Sequence, residues 1–387
     1  MLYIPRNIPI SEVLKKKSVL LLGPRRAGKS ALIRHQLKAD RVIDLLKADQ
    51  FQAYSFRPSL LRESLKTSER LVVIDEVQKL PVLLDEVHSM IEETNCRFVL
   101  TGSSARRLKR GHTALLAGRT RRLYLHPFCF AEVADSFKLE RYLRHGGLPP
   151  VYLAETEADA MAELSDYAGD YLREEILAEA LVRKIEAFSR FLPVAARMNG
   201  QLLNFESVAS DSQVPARTIR EYFSVLEDTL VGKILHPVRF KGIHSRKAIA
   251  SGKFYFFDCG VLNALLGRKK ILNDSVEFGD LFETWVHQEL RTYSDYRKER
   301  DAIEVQFWRS PAGSEVDFVI NREVGIEVKA TRHISERHVS GLNELAAMMP
   351  LRKKVIVCRE SAPREMNGVN VLPWREFAEQ LWADEIF

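Results

Sequence analysis

At 387 residues the chain is too long for one ordinary hydrophobic core, so two or three domains are expected. A composition of 46% hydrophobic and 28% charged residues excludes a disordered chain, and no apolar run approaches the roughly 20 residues of a membrane span. The formal charge of +6, from 58 Lys+Arg against 52 Asp+Glu, is modest, so the placement of the basic residues matters more than their sum. The opening stretch "MLYIPRNIPISEVLKKK" has no long apolar run and no small-residue cleavage site. Cys96, Cys129, Cys259 and Cys358 lie far apart with no CxxC, which argues against a zinc site or a disulfide framework. The expectation is a cytoplasmic protein with reduced thiols and no membrane association.

Residues 18–127 alternate strand and helix. "SVLLLG", "RVIDL", "RLVVIDE", "RFVLTGS" and "RRLYLHP" read as short apolar strands, with helical segments such as "KSALIRHQLKA" and "PVLLDEVHSMIEE" between them. That pattern predicts a parallel α/β sheet covered on both faces. "YLRHGGLPPVYLAE" carries Gly146, Gly147, Pro149 and Pro150, turn chemistry that marks a first domain boundary. Residues 156–235 read mainly as helices. "LLNFESVASDSQVPARTIREYFSVLEDTLVGKIL" gives a helix, a turn and a second helix with Ile219, Tyr222, Phe223, Leu226 and Leu230 at helical spacing. From about residue 252, aromatic strands "KFYFFDCG" and "EVQFWRS" begin a second α/β unit. "EVDFVI" and "GIEVKA" form an antiparallel pair across "NREVG", and "KKVIVCRE" and "VNVLPW" follow the helix "SGLNELAAMM". The expected domains are 1–150, 151–250 and 251–387.

The run Gly23-Pro24-Arg25-Arg26-Ala27-Gly28-Lys29-Ser30 fits G-x-x-x-x-G-K-[ST] between a strand and a helix. Its glycines let backbone N–H groups curl around phosphate oxygens, and the helix N-terminus adds partial positive charge. Lys29 is expected at the β- and γ-phosphates of ATP and Ser30 at Mg²⁺. Asp75, ending an apolar strand, is the expected carboxylate of the Mg²⁺ shell, and Glu76 is placed to orient or deprotonate the attacking water. Thr101 and Ser103 are candidates for sensing the γ-phosphate, against a turn and helix cap as the plainer reading. Arg119 is a candidate to supply charge to the transition state, in cis or from a neighbouring subunit, against a plain surface arginine.

In the C-terminal part, Asp317 lies in one strand and Glu327 and Lys329 lie two apart in the next, so the last two share a face. Two carboxylates beside a lysine can bind Mg²⁺, activate water and screen a phosphodiester. The pattern alone is weak, and a silent site or a nucleic-acid-binding platform is the alternative.

Two stretches are basic with almost no acids. Residues 97–126 hold eight Lys/Arg and no acid, and residues 232–270 hold nine and only Asp258. They are candidate phosphate-backbone contacts, Arg246, Lys247 and Lys253 among them, against solvated faces. Arg217, Thr218 and Arg220 lead the second helix of the middle region, which could enter a major groove.

Taken together, "GPRRAGKS", "LVVIDEVQKLP", "VLTGSS", "AGRTRRLYLHPFCFAEV" and "YLRHGGLPP" resemble the AAA-like P-loop ATPases of bacteria and archaea. The resemblance covers nearly the whole chain. It implies a parallel-sheet ATPase domain, a winged helix in the middle and a restriction-endonuclease-like α/β domain at the end. For the last it implies the D…(D/E)-x-K arrangement at Asp317, Glu327 and Lys329, with Glu283 matching the helix acid that many such nucleases add. The expected function is an ATP-hydrolysing, DNA-associated protein whose nuclease-like domain is controlled by ATP. The alternative is a regulatory ATPase whose distal domains bind protein and are catalytically silent. A mobile-element or defence nuclease is a weaker third reading, and homo-oligomer formation is left open.

Overall fold

A computed structural model of the chain describes residues 3–104, 118–171, 185–240, 251–297 and 303–387. The N-terminal part is built on five strands, β1 (Ser18–Leu22), β2 (Arg41–Asp44), β3 (Leu71–Asp75), β4 (Arg97–Gly102) and β5 (Thr120–Tyr124). All pair in parallel, in the order β2-β3-β4-β1-β5. Helix α1 (Lys29–Gln36) leaves the end of β1, and α2 (Leu83–Glu93) lies between β3 and β4. Strand alternation sends Val19 and Leu21 to one face, against Leu32 and Ile33, and Leu20 and Leu22 to the other, against Leu84 and Val87. The central strands β1, β3 and β4 are therefore covered on both faces, which is why they read as near-continuous apolar runs, whereas the edge strands β2 and β5 are partly exposed. Each such side chain, fully buried, stabilises by about 1.5–3 kcal/mol.

The Gly146-Gly147 turn proves to be a close approach between segments. It follows α3 (Leu139–His145) and packs on the start of the helix Cys259–Leu265. Asp258 caps that later helix by accepting from the Val261 N–H and also accepts from Gly147 N–H, at 3.0 and 2.8 Å. A Cβ on Gly146 would stand 2.0 Å from Asp258 Oδ1, and one on Gly260 2.0 Å from the His145 carbonyl oxygen. Burial raises the Asp258 carboxyl to about 6, against the backbone N–H groups that favour its charged form.

The middle region is helical, as the periodicity predicts. Helices α4 (Ile185–Arg197), α5 (Phe205–Ser212) and α6 (Ala216–Asp228) lead into an antiparallel hairpin of β6 (Gly232–Leu235) and β7 (Lys253–Phe256). Asn204 caps α5 through the N–H groups of Glu206 and Ser207, and Gln213 ends it in the left-handed region. Ile219, Tyr222, Phe223 and Leu226 of α6 are buried, as their spacing requires. One expectation differs. The aromatic strand "KFYF" pairs with β6, so the boundary expected at residues 250 and 251 falls between the two strands of one hairpin. Alternation reveals a strand but not its partner. Helix α7 (Cys259–Leu265), which meets the Gly146-Gly147 turn, follows the hairpin.

The C-terminal part is a six-stranded mixed sheet in the order β12-β13-β11-β10-β9-β8. Its strands are β8 (Val305–Arg309), β9 (Glu315–Ile320), β10 (Val324–Val328), β11 (Lys353–Cys358), β12 (Arg364–Met366) and β13 (Val369–Pro373). The β9–β10 pair is antiparallel across the expected turn, and β10–β11 and β11–β13 are parallel. Three helices complete it: α8 (Val276–Arg297), α9 (Ser340–Met348) and α10 (Trp374–Trp382).

Helix α8 connects the parts. Its Glu289, 1% exposed, accepts from Phe130 N–H of the N-terminal part at 2.9 Å and from the indole N–H groups of Trp285 and Trp382 at 3.2 and 2.8 Å. Burial raises its carboxyl from the ordinary 4.5 to about 7, in spite of these donors. Because the folded value is raised, protonation favours the fold. The contribution is complete below about pH 4.5 and is lost as pH rises through about 7. Glu289→Gln, neutral at every pH, is expected to flatten the decline of stability across this window by about 3 kcal/mol. Denaturant unfolding of both proteins at several pH values checks this; parallel curves would contradict it.

Candidate functional site

The phosphate loop joins β1 to α1. Gly28 takes a φ of 98°, a region open to glycine, and forms the N-cap of α1. A Cβ on Gly23 would stand 2.6 Å from the Leu125 carbonyl oxygen, so the loop begins where the backbone after β5 passes close by. Lys29 is folded back on the loop, its Nζ donating to the carbonyl oxygens of Gly23 and Pro24 at 2.7 and 3.2 Å. Phosphate oxygens would compete for the same ammonium. The loop opens on a cleft of about 870 Å³, whose walls include Arg25, Arg26, Lys29, Ser30 and Glu76.

Strand order explains the acid side of the cleft. β4 lies between β1 and β3, with Leu100 beside Ile74, so Thr101 comes level with Asp75. The Thr101 hydroxyl donates to Asp75 Oδ1 and accepts from Glu76 N–H. Ser30 Oγ donates to the other Asp75 oxygen at 3.1 Å. Glu76 holds a left-handed backbone, φ 60° and ψ 43°, unusual for a residue with a Cβ. Gln78 donates to Glu76 Oε2 at 2.5 Å and to Ser103 Oγ at 3.2 Å. Sequence reasoning brings Ser30, Asp75, Glu76, Thr101 and Ser103 to one place, and the structure adds Gln78 between Glu76 and Ser103. Thr101 is engaged with Asp75 in this arrangement, so its hydroxyl proton points to the acid. Ser30 and Asp75 fit the Mg²⁺ of Mg-ATP by donor type, two hard oxygens at the end of the loop.

Arg119 lies elsewhere. β5 runs parallel to β1 with Thr120 beside Ser18, so Arg119 stands at the strand end opposite the phosphate loop. Five residues of strand put it roughly 16 Å away. Its guanidinium pairs with Glu92 of α2. Within one chain it does not reach the loop, which corrects the in-cis reading. The proximity of "AGRTRR" to the fifth strand misled because a residue that precedes a parallel strand lies at the sheet edge opposite the loop that follows β1.

Sequence reasoning missed Arg6. Its guanidinium donates to the carbonyl oxygens of Ala27, inside the phosphate loop, and His126, at 2.7 and 2.5 Å. Its Nε is 3.1 Å from Glu132 Oε2, with both side chains buried. It ties the loop to the segment after β5. An arginine before the first strand carries no local signal for that role. Arg6→Met leaves Glu132 buried and uncompensated and is expected to cost roughly 3–5 kcal/mol. Glu132→Gln should cost a comparable amount, and the double variant clearly less than the sum. Additive losses in thermal or denaturant unfolding would show that the two groups act independently.

A second cluster forms in the C-terminal part. Period-two alternation places Lys253 and Tyr255 on one face of β7, Glu315 and Asp317 on one face of β9, and Glu327 with Lys329 along β10. Glu283 of α8 joins them. Tyr255 Oη donates to Glu283 Oε1 at 2.5 Å, and Asp317 Oδ2 accepts from Val328 N–H at 2.8 Å. Lys329 Nζ is 2.5 Å from Glu327 Oε1, while the buried Glu327 Oε2 has no hydrogen-bond partner. Burial, then the nearby Asp317 charge, raises Glu283 to about 7 and Glu327 to about 8. The four sequence candidates thus come together, with Glu315 and Lys253 added. Lys253 corrects an expectation. It is 4% exposed and ion-paired to Glu315, with Glu283 and Asp317 at 3.5 and 3.9 Å, so it is not a surface contact for phosphate. Arg246 and Lys247 lie outside the described residues. Among the described residues no group of three or more His, Cys, Asp or Glu is arranged to hold a metal ion. A divalent ion does not fit this cluster as it stands, since an ammonium lies among its carboxylates.

Comparisons with known proteins agree with the N-terminal geometry. The AAA domain family matches residues 15–134. Two families described as domains of unknown function, DUF8612 and DUF4143, match residues 136–271 and 278–377. The chain therefore carries an AAA-like P-loop ATPase domain, followed by a helical middle and a C-terminal mixed sheet of the second unknown-function type. An uncharacterized protein of Mycobacterium tuberculosis, Rv2008c, is 28% identical over 320 residues, 81% of this chain and 70% of its own length. The uncharacterized Mycobacterium bovis protein Mb2031c gives the same figures. Among solved structures, the Aeropyrum pernix ORC1 protein in complex with DNA aligns at 13% identity over 66% of this chain and 90% of its own, with a TM-score of 0.27. The Bacillus subtilis DNA clamp loader delta protein aligns at 14% identity over 56% and 86%, also at 0.27. Superpositions that loose carry no argument about function. Among the described residues no helix is long and apolar enough to cross a membrane.

Proposed function

We propose that the protein is a Mg-dependent ATPase that associates with DNA, and that its nucleotide state controls how the C-terminal nuclease-like domain engages nucleic acid. The observation that carries the ATPase reading is that Lys29, Ser30 and Glu76 line one large cleft, with Asp75 hydrogen-bonded to Ser30 behind it. Lys29 would leave the Gly23 and Pro24 carbonyl oxygens for the β- and γ-phosphates. Ser30 and Asp75 would hold the Mg²⁺ that arrives with ATP, which screens the phosphate charge. Glu76, oriented by Gln78, would take the proton of the attacking water. Ser103, bonded to the same Gln78, would register the γ-phosphate through it. The domain limits are proposed as 1–150, 151–250 and 251–387, with the hairpin of β6 and β7 bridging the last two.

Helices α5 and α6 with that hairpin have the order of elements of a winged helix. Arg217 and Arg220 are exposed near the start of α6, where the second helix of such a motif meets the major groove. Arg220 also lies over the Phe205 ring, 4.5 Å from its centroid, which orients it. These residues support DNA association. The second reading, a regulatory ATPase with catalytically silent distal domains, is favoured by Lys253, which neutralises the carboxylates a nuclease would use for metal. Arg119, remote from the loop of its own chain, would act on ATP only from a neighbouring subunit.

Glu76→Gln is expected to bind ATP like wild type and to turn it over at least about 100-fold more slowly, whereas Lys29→Ala should lose binding. Equal turnover in wild type and Glu76→Gln removes Glu76 from the chemistry. For DNA, the joint change Arg217→Glu and Arg220→Glu should weaken binding and lower the salt slope by roughly one for each phosphate no longer neutralised. An affinity that does not change across salt would favour the protein-binding reading.

A further inference from the structure

The C-terminal cluster has more acid than a folded core tolerates without a counter-charge. Glu283, Glu315, Asp317 and Glu327 come from three elements, and Asp317 and Glu327 are buried. Like charges this close repel strongly where water is excluded. Lys329 answers Glu327 on one side. On the other side the counter-charge is Lys253, delivered from β7, a strand outside the six-stranded sheet. Its ammonium pairs with Glu315 and lies 3.5 Å from Glu283 and 3.9 Å from Asp317. The side chain is fixed there by the Phe307 ring, 5.6 Å from Nζ, as well as by the acids. A buried ammonium is costly to desolvate and is retained only where carboxylates surround it. Glu327 Oε2, buried and without a hydrogen-bond partner, is acceptor capacity that the two lysines leave unused.

We propose that Lys253 is the resident cation of this site: its ammonium holds the place a divalent ion would take between Glu283 and Asp317, so the site accepts a divalent ion only when that charge is removed. The proposal rests on the nuclease-like reading of the cluster, but it concerns occupancy and not cleavage. A divalent ion needs carboxylate oxygens at about 2.0–2.6 Å, and a positive ammonium among the same oxygens opposes its approach by both charge and volume. β7 pairs with β6 in a hairpin that bridges the middle region and the C-terminal part, so the occupant is supplied from outside the sheet that carries Glu315, Asp317 and Glu327.

Mn²⁺ is the probe, titrated against the nucleotide-free 387-residue chain and followed by electron paramagnetic resonance and thermal unfolding. Wild type should show no Mn²⁺ binding that depends on Asp317. Lys253→Met, of similar length and uncharged, should gain one Mn²⁺ that binds about tenfold or more tighter than any in wild type. Lys253→Met with Asp317→Asn should lose it again. Lys253→Arg, which keeps the charge, should behave like wild type. If Lys253→Met unfolds without metal, it should be recovered by Mn²⁺ and not by the same concentration of NaCl; failure of that recovery overturns the proposal. Mn²⁺ binding by wild type that Asp317→Asn removes also overturns it, and that arm needs no variant at Lys253. A folded Lys253→Met with no Mn²⁺ site does the same. A DNA cleavage assay on the same proteins tests the nuclease reading by itself: no cleavage alongside gained Mn²⁺ would remove the nuclease and leave the role of Lys253 intact.

Discussion

The structure depends on what Glu289 does in the middle of helix α8. One buried carboxyl accepts from the backbone of the ATPase part at Phe130 and from two tryptophans of the C-terminal part. An unpaired backbone N–H at that depth would be costly, so the N-terminal part is seated on α8 by an obligatory hydrogen bond as well as by apolar packing. The same helix carries Glu283 into the carboxylate cluster six residues earlier, and Asp295, which meets His126 at 2.8 Å, six residues later. A rigid helix of 22 residues thus touches the end of the ATPase sheet and the core of the C-terminal site. Any displacement of Phe130 relative to α8 has to be accommodated by that helix.

A second theme is that buried charge is answered across segment boundaries. Arg6, from the segment before β1, closes on Glu132 and on the phosphate loop. Asp258, after the β6–β7 hairpin, closes on the Gly146-Gly147 turn. Lys253 closes on acids of β9 and α8. Removing one partner from such a pair leaves an uncompensated charge, so each contact discriminates against wrong docking more than it adds to stability. The glycines at 146 and 260 serve the Asp258 contact, because a Cβ at either position would collide before Asp258 reached the Gly147 N–H.

The sequence by itself determined the phosphate-binding element, the parallel sheet, the helix–turn–helix and the β9–β10 hairpin. These are local: a Gly-rich loop between an apolar strand and a helix, period-two and period-3.6 alternation, and a polar turn of the right length each depend on neighbours within a few residues. The two-residue spacings of Glu327 with Lys329, and of Glu315 with Asp317, are legible for the same reason. Tertiary structure alone decided which strands lie side by side, and therefore which side chains meet. Strand order puts Thr101 beside Asp75. Pairing of β7 with β6 takes Lys253 from an apparently basic surface run into an acidic core. Arg6 and Glu132, on opposite sides of the ATPase sequence, and Phe130 and Glu289, 159 residues apart, carry no mark of each other in the chain. Long-range partners are chosen by how whole elements pack, and charge complementarity becomes visible only once packing has brought the groups within a few ångströms.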